Sequence, residues 1–204
     1  MAKQKWKGGA LLAPVPPAMI SCGNEADGTS NIITVAWTGI INTIPPKTYI
    51  SVRPSRHSYK LIRESGEFAI NLTTVPLIKS ADYCGIYTGA KVNKFEKCNL
   101  HKSEASEISC PLIEESPLSL ECRVTDVIEL GSHHMFLADI VAVDVDDSLL
   151  NSDGKLCLEN AQLAAFSHGE YFALGDKIGY FGFSAKKKKK RGAPPPSVKS
   201  NKRS

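Results

Sequence analysis

The segment at residues 49–62, YISVRPSRHSYKLI, concentrates side chains that bind anions. Ser51, Arg53, Ser55 and Ser58 fall within eight residues, together with a second arginine, where a predicted strand runs into a predicted helix. Hydroxyl groups, guanidinium groups and the unpaired N–H groups of a helix N-terminus are suitable donors to a phosphate dianion. The segment therefore predicts a phosphate site. Spacing alone leaves one alternative open, in which Ser55 or Ser58 merely caps the helix while the arginines face water.

A second candidate region is the apolar stretch at residues 31–42, NIITVAWTGIIN. It carries polar side chains at Asn31, Thr34 and Thr38 and an indole at Trp37. Backbone amides and a flat apolar wall at the edge of a barrel suit a planar heterocycle. A Trp in a strand also packs in many protein cores, and core packing is the alternative for Trp37.

Four further candidates, Asn71, Cys84, Gly85 and Lys94, are predicted on loops beyond strand or helix ends, where rigid barrels hold ligands. Cys84 suits a redox thiol, but it has no resolving partner nearby in the sequence, so a structural role is preferred. His168, within SHGEYF, is a candidate for a contact on the substrate side. An exposed loop histidine is the alternative there.

Several common catalytic motifs are absent. The chain has no GxGxxG, GxxxxGK[ST], GxSxG or HExxH motif, and its six cysteines form no CxxC pair. His133 and His134 are adjacent, and adjacent residues of a strand point to opposite faces, so they are not expected to share a metal ion. We therefore predict no metal site and no catalytic acid, base or nucleophile.

Size and charge indicate one domain with an appended tail. The 204 residues include nine Lys and Arg at positions 185–204 and no acid there, which leaves 16 basic and 21 acidic residues at 1–184. The tail is rich in Lys and Pro and is predicted to be disordered, as a solvated tail or a tether for nucleic acid. No apolar run reaches the roughly 20 residues that span a bilayer, and no signal peptide is visible. These features predict a cytoplasmic protein that contacts no membrane and for which nucleic-acid binding is a weak proposal.

Short runs with period-2 alternation dominate residues 1–184 and predict a mainly β fold. The predicted strands are Ala18–Cys22, Ile32–Ile41, Thr48–Arg53, Glu67–Thr73, Leu118–Leu130 and His134–Val145, with a hairpin turn at Gly131-Ser132. The predicted helices are Ser58–Ser65, ending at Gly66, and Pro76–Cys84, with further turns near Asn93–Cys98 and Glu159–Ala164. Antiparallel strands with long connections and few helices favour a Greek-key barrel.

The order of several motifs resembles a known family. NIITVAWTG, YISVRPSRHSY, GEFAINL, DYCG with NKF, LGSHHMFLADIVAV and AFSHGEYFALG occur in the order found in flavin-reductase-like FMN-binding split barrels, especially those of flavoredoxin type. The similarity covers about residues 11–184 and leaves the tail outside. It implies a homodimeric split barrel at residues 1–184 with FMN near the dimer interface.

The resemblance also implies a set of residues around FMN. Those expected near the isoalloxazine ring or ribityl chain are Asn31, Thr34, Ala36 and Trp37. Those expected around the phosphate are Ser51, Val52, Arg53, Ser55 and Ser58. Those expected to close the pocket are Asn71, Leu72, Cys84, Gly85, Lys94 and Phe95.

The leading functional hypothesis is an FMN-dependent oxidoreductase. NAD(P)H or a protein would donate electrons, and free flavin, ferric iron or a redox partner would accept them, with the chemistry supplied by the cofactor. The second hypothesis is a non-catalytic electron carrier of flavoredoxin type. A third, weaker one is a barrel tethered to nucleic acid by the basic tail.

Overall fold

The computed structural model describes residues 1–185. The strands are β1 (Ala18–Cys22), β2 (Asn31–Val35), β3 (Thr38–Asn42), β4 (Lys47–Val52), β5 (Glu67–Asn71), β6 (Lys102–Ser103), β7 (Leu112–Ile113), β8 (Leu118–Glu129), β9 (His134–Val145), β10 (Ala164–Ser167) and β11 (Glu170–Ala173). The helices are α1 (His57–Ser65), α2 (Ile78–Ile86) and α3 (Lys94–Cys98), and there are 3-10 turns at Asp147–Leu149, Leu158–Asn160 and Phe183–Ala185.

The chain divides into a compact unit at Met1–Leu174 and a second unit that begins at Gly175. All eleven strands and the three α-helices belong to the first unit, and the described part of the second contains the 3-10 turn at Phe183–Ala185. The domain boundary near residue 184 stays a prediction. The basic tail expected to be disordered lies outside the described residues from position 186 onward. No helix within residues 1–185 is long and apolar enough to cross a membrane.

Seven antiparallel strands form the main sheet, in the order β2-β1-β5-β8-β9-β4-β3. The two edge strands, β2 and β3, follow each other in the chain and are separated by Ala36 and Trp37 alone. Because two intervening residues span at most about 11 Å, the two edges must lie close together and the sheet curls into a half-barrel. A hydrogen bond of 2.9 Å from Ser51 N to Trp37 O joins the connector to β4.

This break corrects the sequence prediction, which treats Ile32–Ile41 as one strand. The apolar run is continuous in sequence, but β2 pairs with β1 whereas β3 pairs with β4. The change of partner interrupts the ladder at Ala36-Trp37, and composition carries no signal for it. The other long strands occur where they are predicted, and β1 and β9 have the predicted bounds.

The hairpin of β8 and β9 supplies the longest pairing in the sheet. Its turn lies at Gly131-Ser132, as predicted, and Gly131 has a φ of 92°, which a glycine adopts without strain. The hairpin of β10 and β11 is missed by the sequence analysis, which expects a helical turn over Glu159–Ala164. The structure has a 3-10 turn at Leu158–Asn160, and β10 begins after three intervening residues, at Ala164.

The core of the half-barrel lies between the sheet and α1. Ile20, Ile50, Phe68 and Phe136 are fully buried there, and Ile62 of α1 packs against them. A second cluster lies under α2 and α3, with Met19, Ile32, Leu77, Ala81, Cys84, Phe95, Leu100 and Ile113. The strand β2 contributes to both clusters, so α1, α2 and α3 are held around the same strand.

Candidate functional site

A cavity of about 360 Å³ lies beside the connection from β4 to α1. Its size falls within the range of pockets that hold cofactors and other small molecules. Its walls come from β2, the β4–α1 connection, the loop after α2 and the start of α3. The lining residues are Asn31, Ile33, Arg53, Ser55, Arg56, His57, Ser58, Tyr87, Thr88, Gly89 and Lys94.

Asn31 and Ser58 form the floor of this cavity. Both side chains are buried, and Asn31 Nδ2 donates a 2.8 Å hydrogen bond to Ser58 Oγ. The bond ties β2 to the first turn of α1. Burial raises the pKa of the neighbouring Cys22 thiol to about 12, and a hydrogen bond with the Ser58 side chain partly opposes this shift.

The N-terminus of α1 has no side-chain cap. Its N-cap residue is Arg56, and no side chain accepts a hydrogen bond from the first turn. The capping by Ser55 or Ser58 that the alternative interpretation requires is therefore absent, although Arg53 and Arg56 are exposed to water as that interpretation states. In the first turn, the Tyr59 N–H donates to the Arg56 carbonyl at 3.0 Å, whereas the N–H groups of His57 and Ser58 precede the first bond of the helix and are suited to an anion.

Lys94 places a buried positive charge at the wall of the cavity. Its side chain is 3% exposed, and Nζ donates to the carbonyl oxygens of Ile32 at 2.6 Å and Cys84 at 2.8 Å. An ammonium group has three donors, so one remains. No ion pair within residues 1–185 involves Lys94. A buried cation with two neutral partners favours an anion beside it.

Burial, and to a smaller degree the positive charge of Arg56, lowers the pKa of Lys94 from its ordinary value of 10.5. The thiols of Cys84, Cys22 and Cys98 oppose this shift. A bound anion would oppose it further, because it stabilises the protonated form. Burial of the Lys94 ammonium group is therefore the cause both of its lowered pKa and of the affinity that we expect for an anion.

The exposed arginines complete the positive surroundings. Arg53 and Arg56 both line the cavity, and the backbone N–H of Arg56 donates to the carbonyl of Arg53 in the turn that precedes α1.

Burial and then the charge of Arg53 lower the pKa of His133. His133 contacts Ser132, whereas His134 Nδ1 contacts the Tyr59 hydroxyl at 2.9 Å, so the two histidines have separate partners.

Trp37 and His168 meet at a second, smaller cavity of about 250 Å³. Trp37 is 37% exposed, so its indole is not enclosed in the core. His168 and Gly169 form the two-residue turn between β10 and β11, and His168 is exposed there with a φ of 52°. Val15 pairs with Phe166 and brings the N-terminal segment to the same cavity.

The remaining predicted residues lie around these cavities but are not among the lining residues. Thr34 Oγ1 donates to the carbonyl of Ala81 at 2.6 Å, and Gly85 packs against Thr34. Ala36 lies beside Trp37 in the connector. Ser51 is half-buried and pairs through its backbone with the connector.

Four of the predicted pocket residues are core residues in this structure, and a fifth is half-buried. Val52 belongs to the core of the half-barrel, and Cys84 and Phe95 belong to the cluster under α2 and α3. Asn71 is fully buried, and its side chain bonds Met19, Ser21, Ile113 and Ser119. Leu72 is half-buried, and its backbone pairs with Leu118. Direct ligand contacts by these residues stay predictions.

No sequence motif points to the loop after α2, which contributes Tyr87, Thr88 and Gly89 to the cavity beside the β4–α1 connection. A methyl group added at Gly89 would lie 2.5 Å from Asn31 Cγ, so a glycine is required for the loop to approach this closely. Glycine beside a predicted helix end is common, and without the fold nothing connects Gly89 with Asn31.

Comparison with known proteins identifies the family of this chain. The family model described as "Flavin reductase like domain" matches residues 12–174. The chain belongs to the flavin-reductase-like family. The fold is the Greek-key split barrel of that family, as predicted.

Individual relatives agree with this assignment. An uncharacterized protein of Archaeoglobus fulgidus is 34% identical over 144 residues, which is 71% of this chain and 78% of that protein. The flavoredoxin of Desulfovibrio vulgaris (Miyazaki F) is 28% identical, with a TM-score of 0.83, and the similarity covers 91% of this chain and 100% of that one. The flavoredoxin of Methanosarcina acetivorans is 25% identical, with a TM-score of 0.81 and the same coverage. Membership of this family supports a flavin-related oxidoreductase or electron carrier.

Proposed function

We propose that this flavin-reductase-like protein binds FMN without a covalent bond and passes electrons from NAD(P)H or a protein donor to an acceptor. Free flavin, ferric iron and a redox protein are the acceptor classes that we consider. When bound, the flavin supplies the capacity to accept and release electrons, while the protein supplies binding and orientation.

The buried ammonium group of Lys94 is the observation that carries this proposal. It faces no carboxylate among the ion pairs of residues 1–185, and it lines the same cavity as Ser58, Arg53 and the uncapped start of α1. These groups fit the terminal phosphate of FMN, which is a dianion with several acceptor oxygens. Hydrogen bonds to a charged group contribute about 1.5–3 kcal/mol each, so this cluster favours FMN over riboflavin.

In this proposal the residues have distinct roles. Asn31, Arg53, Ser55, Ser58 and Lys94 hold the phosphate. Thr34, Ala36 and Trp37 border the ribityl chain or the ring. His168 contacts the donor or acceptor, which its exposure in the turn from β10 to β11 supports.

A comparison of FMN with riboflavin tests the proposal directly. The freshly purified protein is expected to be yellow, and denaturation is expected to release a compound with the spectrum of FMN. Calorimetry on the stripped protein is expected to show tight FMN binding and riboflavin binding weaker by at least tenfold. A colourless protein that does not bind added FMN would refute the function, and equal affinities would refute the phosphate site alone.

The second candidate function is a non-catalytic electron carrier, favoured by the similarity to two flavoredoxins. Anaerobic mixing of the loaded protein with NADH or NADPH separates the candidates. Rapid bleaching of the flavin absorbance with multiple turnovers supports the reductase. A flavin that stays oxidised with both nucleotides but is reduced by a redox protein supports the carrier.

We also propose a homodimer, because the edge strand β3 and the turn after it expose apolar side chains. Ile40, Ile41 and Ile44 are 65%, 47% and 89% exposed. Exposed apolar edge strands are normally covered by another chain or element. Light scattering is expected to give twice the chain mass, and Ile40→Lys is expected to shift it toward the monomer. A monomeric wild type at micromolar concentration would refute the dimer.

A further inference from the structure

Two of the six cysteines contact each other. Cys84 Sγ on α2 and Cys98 Sγ at the end of α3 lie 4.0 Å apart, although 14 residues separate them in the chain. The other four thiols each donate to a backbone carbonyl oxygen instead, and all six cysteines are free. The pair is therefore distinct within the chain, and it supplies the partner thiol that the sequence does not reveal for Cys84.

The two thiols differ in access. Cys84 is completely buried, whereas Cys98 is half-buried at the C-terminus of α3. A reagent from solvent therefore reaches Cys98 first. Burial, and then the neighbouring Cys98, raise the pKa of Cys84 to about 12, so Cys84 is protonated in the reduced pair.

Lys94 lies next to both thiols. It precedes Cys98 by one helical turn on α3, and its Nζ donates to the Cys84 carbonyl oxygen at 2.8 Å. Its positive charge lowers the pKa of Cys84, against the effect of burial. A nearby ammonium group stabilises a thiolate and promotes exchange with disulfides. The pair thus combines contact distance, one accessible sulfur and a stabilising charge.

We propose that Cys84 and Cys98 form a redox-active dithiol, which low-molecular-weight disulfides convert to an intramolecular disulfide. The Cys98 thiolate attacks a small disulfide RSSR, forms a mixed disulfide and releases RS⁻. The Cys84 thiolate then attacks the Cys98 sulfur, forms the Cys84–Cys98 bond and releases the second RS⁻. The two thiol protons end on the two RS⁻ groups. The protein loses two electrons and two protons, and RSSR becomes two RSH.

The reaction requires a modest movement. The sulfur atoms must approach from 4.0 Å to the roughly 2.05 Å of a disulfide. Cys98 is the last residue of a five-residue helix and is followed by Asn99, which has a positive φ of 52°. The end of α3 is thus a short terminus and not the middle of a packed element, so it can supply this displacement.

Thiol counting on the intact protein tests the proposal. The reduced full-length protein is treated under native conditions with 2-hydroxyethyl disulfide, excess reagent is removed, and thiols are counted after denaturation. We expect a loss of two of the six thiols. Trypsin is expected to yield residues 80–91 linked to residues 98–102, with a mass two hydrogens below the sum of the peptides. Six remaining thiols, or a different linked pair, would overturn the proposal.

Matched variants identify the two roles. In Cys98→Ser, the Cys84 thiol is expected to remain free after treatment. Cys157→Ser, which removes the other half-buried cysteine, is expected to form the Cys84–Cys98 linked peptide as the wild type does. Cys84→Ser is expected to stop at one hydroxyethyl adduct on Cys98. Cys84 is buried and this variant can fail to fold, in which case the Cys98 and Cys157 variants decide the question. If Cys84 formed a disulfide with a different cysteine in Cys98→Ser, the assignment would be refuted. No step depends on bound flavin, so this outcome is independent of the proposed function.

Discussion

The side chains of Asn31 and Ser58, 27 residues apart in the chain, are joined by a 2.8 Å hydrogen bond in the floor of the cavity proposed to hold the FMN phosphate. Asn31 begins β2 and Ser58 lies in the first turn of α1. The bond therefore fixes the helix N-terminus relative to the edge of the sheet. The positions of Arg53, Lys94 and Gly89 around this bond lead to three predictions about binding, and a carboxyl pair elsewhere leads to a fourth.

Replacement of Arg53 tests the exposed side of the cavity. Arg53→Ala is expected to weaken FMN binding by about 1.5–3 kcal/mol, because a charge-assisted hydrogen bond to the phosphate is lost. Riboflavin binding should not change. Calorimetry measures both affinities, and Arg63→Ala, in the last turn of α1 and outside the cavity, is the control. Unchanged FMN affinity would remove Arg53 from the site.

Lys94 is expected to make binding depend on pH. Its lowered pKa means that it is protonated below that pKa and neutral above it. FMN affinity is therefore expected to be fully present below the pKa of Lys94 and to fall as pH rises through it, at pH values below 10.5. The stability of the flavin-free protein is expected to change in the opposite direction. Its free energy of unfolding rises as pH rises through the pKa of Lys94, because the cost of burying the charged ammonium group diminishes.

Lys94→Met is expected to weaken FMN binding at neutral pH and to abolish this alkaline loss of affinity. Fluorescence titration of FMN across pH, with circular dichroism to verify folding, provides the measurement. The control is Lys97→Met, which alters an exposed lysine on the same helix. An alkaline loss of equal size in Lys94→Met would show that another group is responsible.

Gly89 permits a close approach to Asn31. Gly89→Ala is expected to reduce FMN affinity at least severalfold, because the added methyl group displaces the Asn31 side chain and its bond to Ser58. Gly8→Ala serves as the control, since no atom lies within 4 Å of the position where its Cβ would be. If FMN affinity were the same in both variants, the Asn31 side chain would be dispensable for the site.

A carboxyl pair on the main sheet is expected to control stability. Burial and then the nearby Glu121 raise the pKa of Asp144, and the buried Asp144 Oδ2 has no hydrogen-bond partner. Burial opposes ionisation of Glu121 too, but hydrogen bonds from Ser106 and Glu107 outweigh it and lower the pKa of Glu121. Ionised Asp144 thus destabilises the fold at pH values above its raised pKa.

Asp144→Asn is expected to raise the free energy of unfolding at neutral pH by about 1 kcal/mol, since an unpaired buried charge is replaced by an amide that can donate to Glu121. The advantage should shrink as pH falls through the raised pKa of Asp144, where the wild-type carboxyl becomes neutral. Urea unfolding at several pH values measures this, with the exposed Asp153→Asn as the control. A constant difference across pH would contradict the explanation.

Local patterns were sufficient for much of the fold and for part of the site. Alternation along Leu118–Leu130 and His134–Val145, with glycine between them, predicts the hairpin because a strand and its turn are encoded by neighbouring residues. The segment from Ser51 to Ser58 similarly contains its hydroxyls and guanidinium groups within one short stretch. The break at Trp37 escapes prediction, since it depends on which strands pair.

The sequence by itself determined a β-rich fold and predicted an anion site in the strand-to-helix segment, because the donors, the turn and the helix start are contiguous. Only the tertiary structure decided that Lys94 and Gly89 line the same cavity and that Cys84 contacts Cys98. These relationships join residues from separate elements. Their distances depend on the curl of the sheet and on the packing of α2 and α3 against β2, which no local pattern encodes.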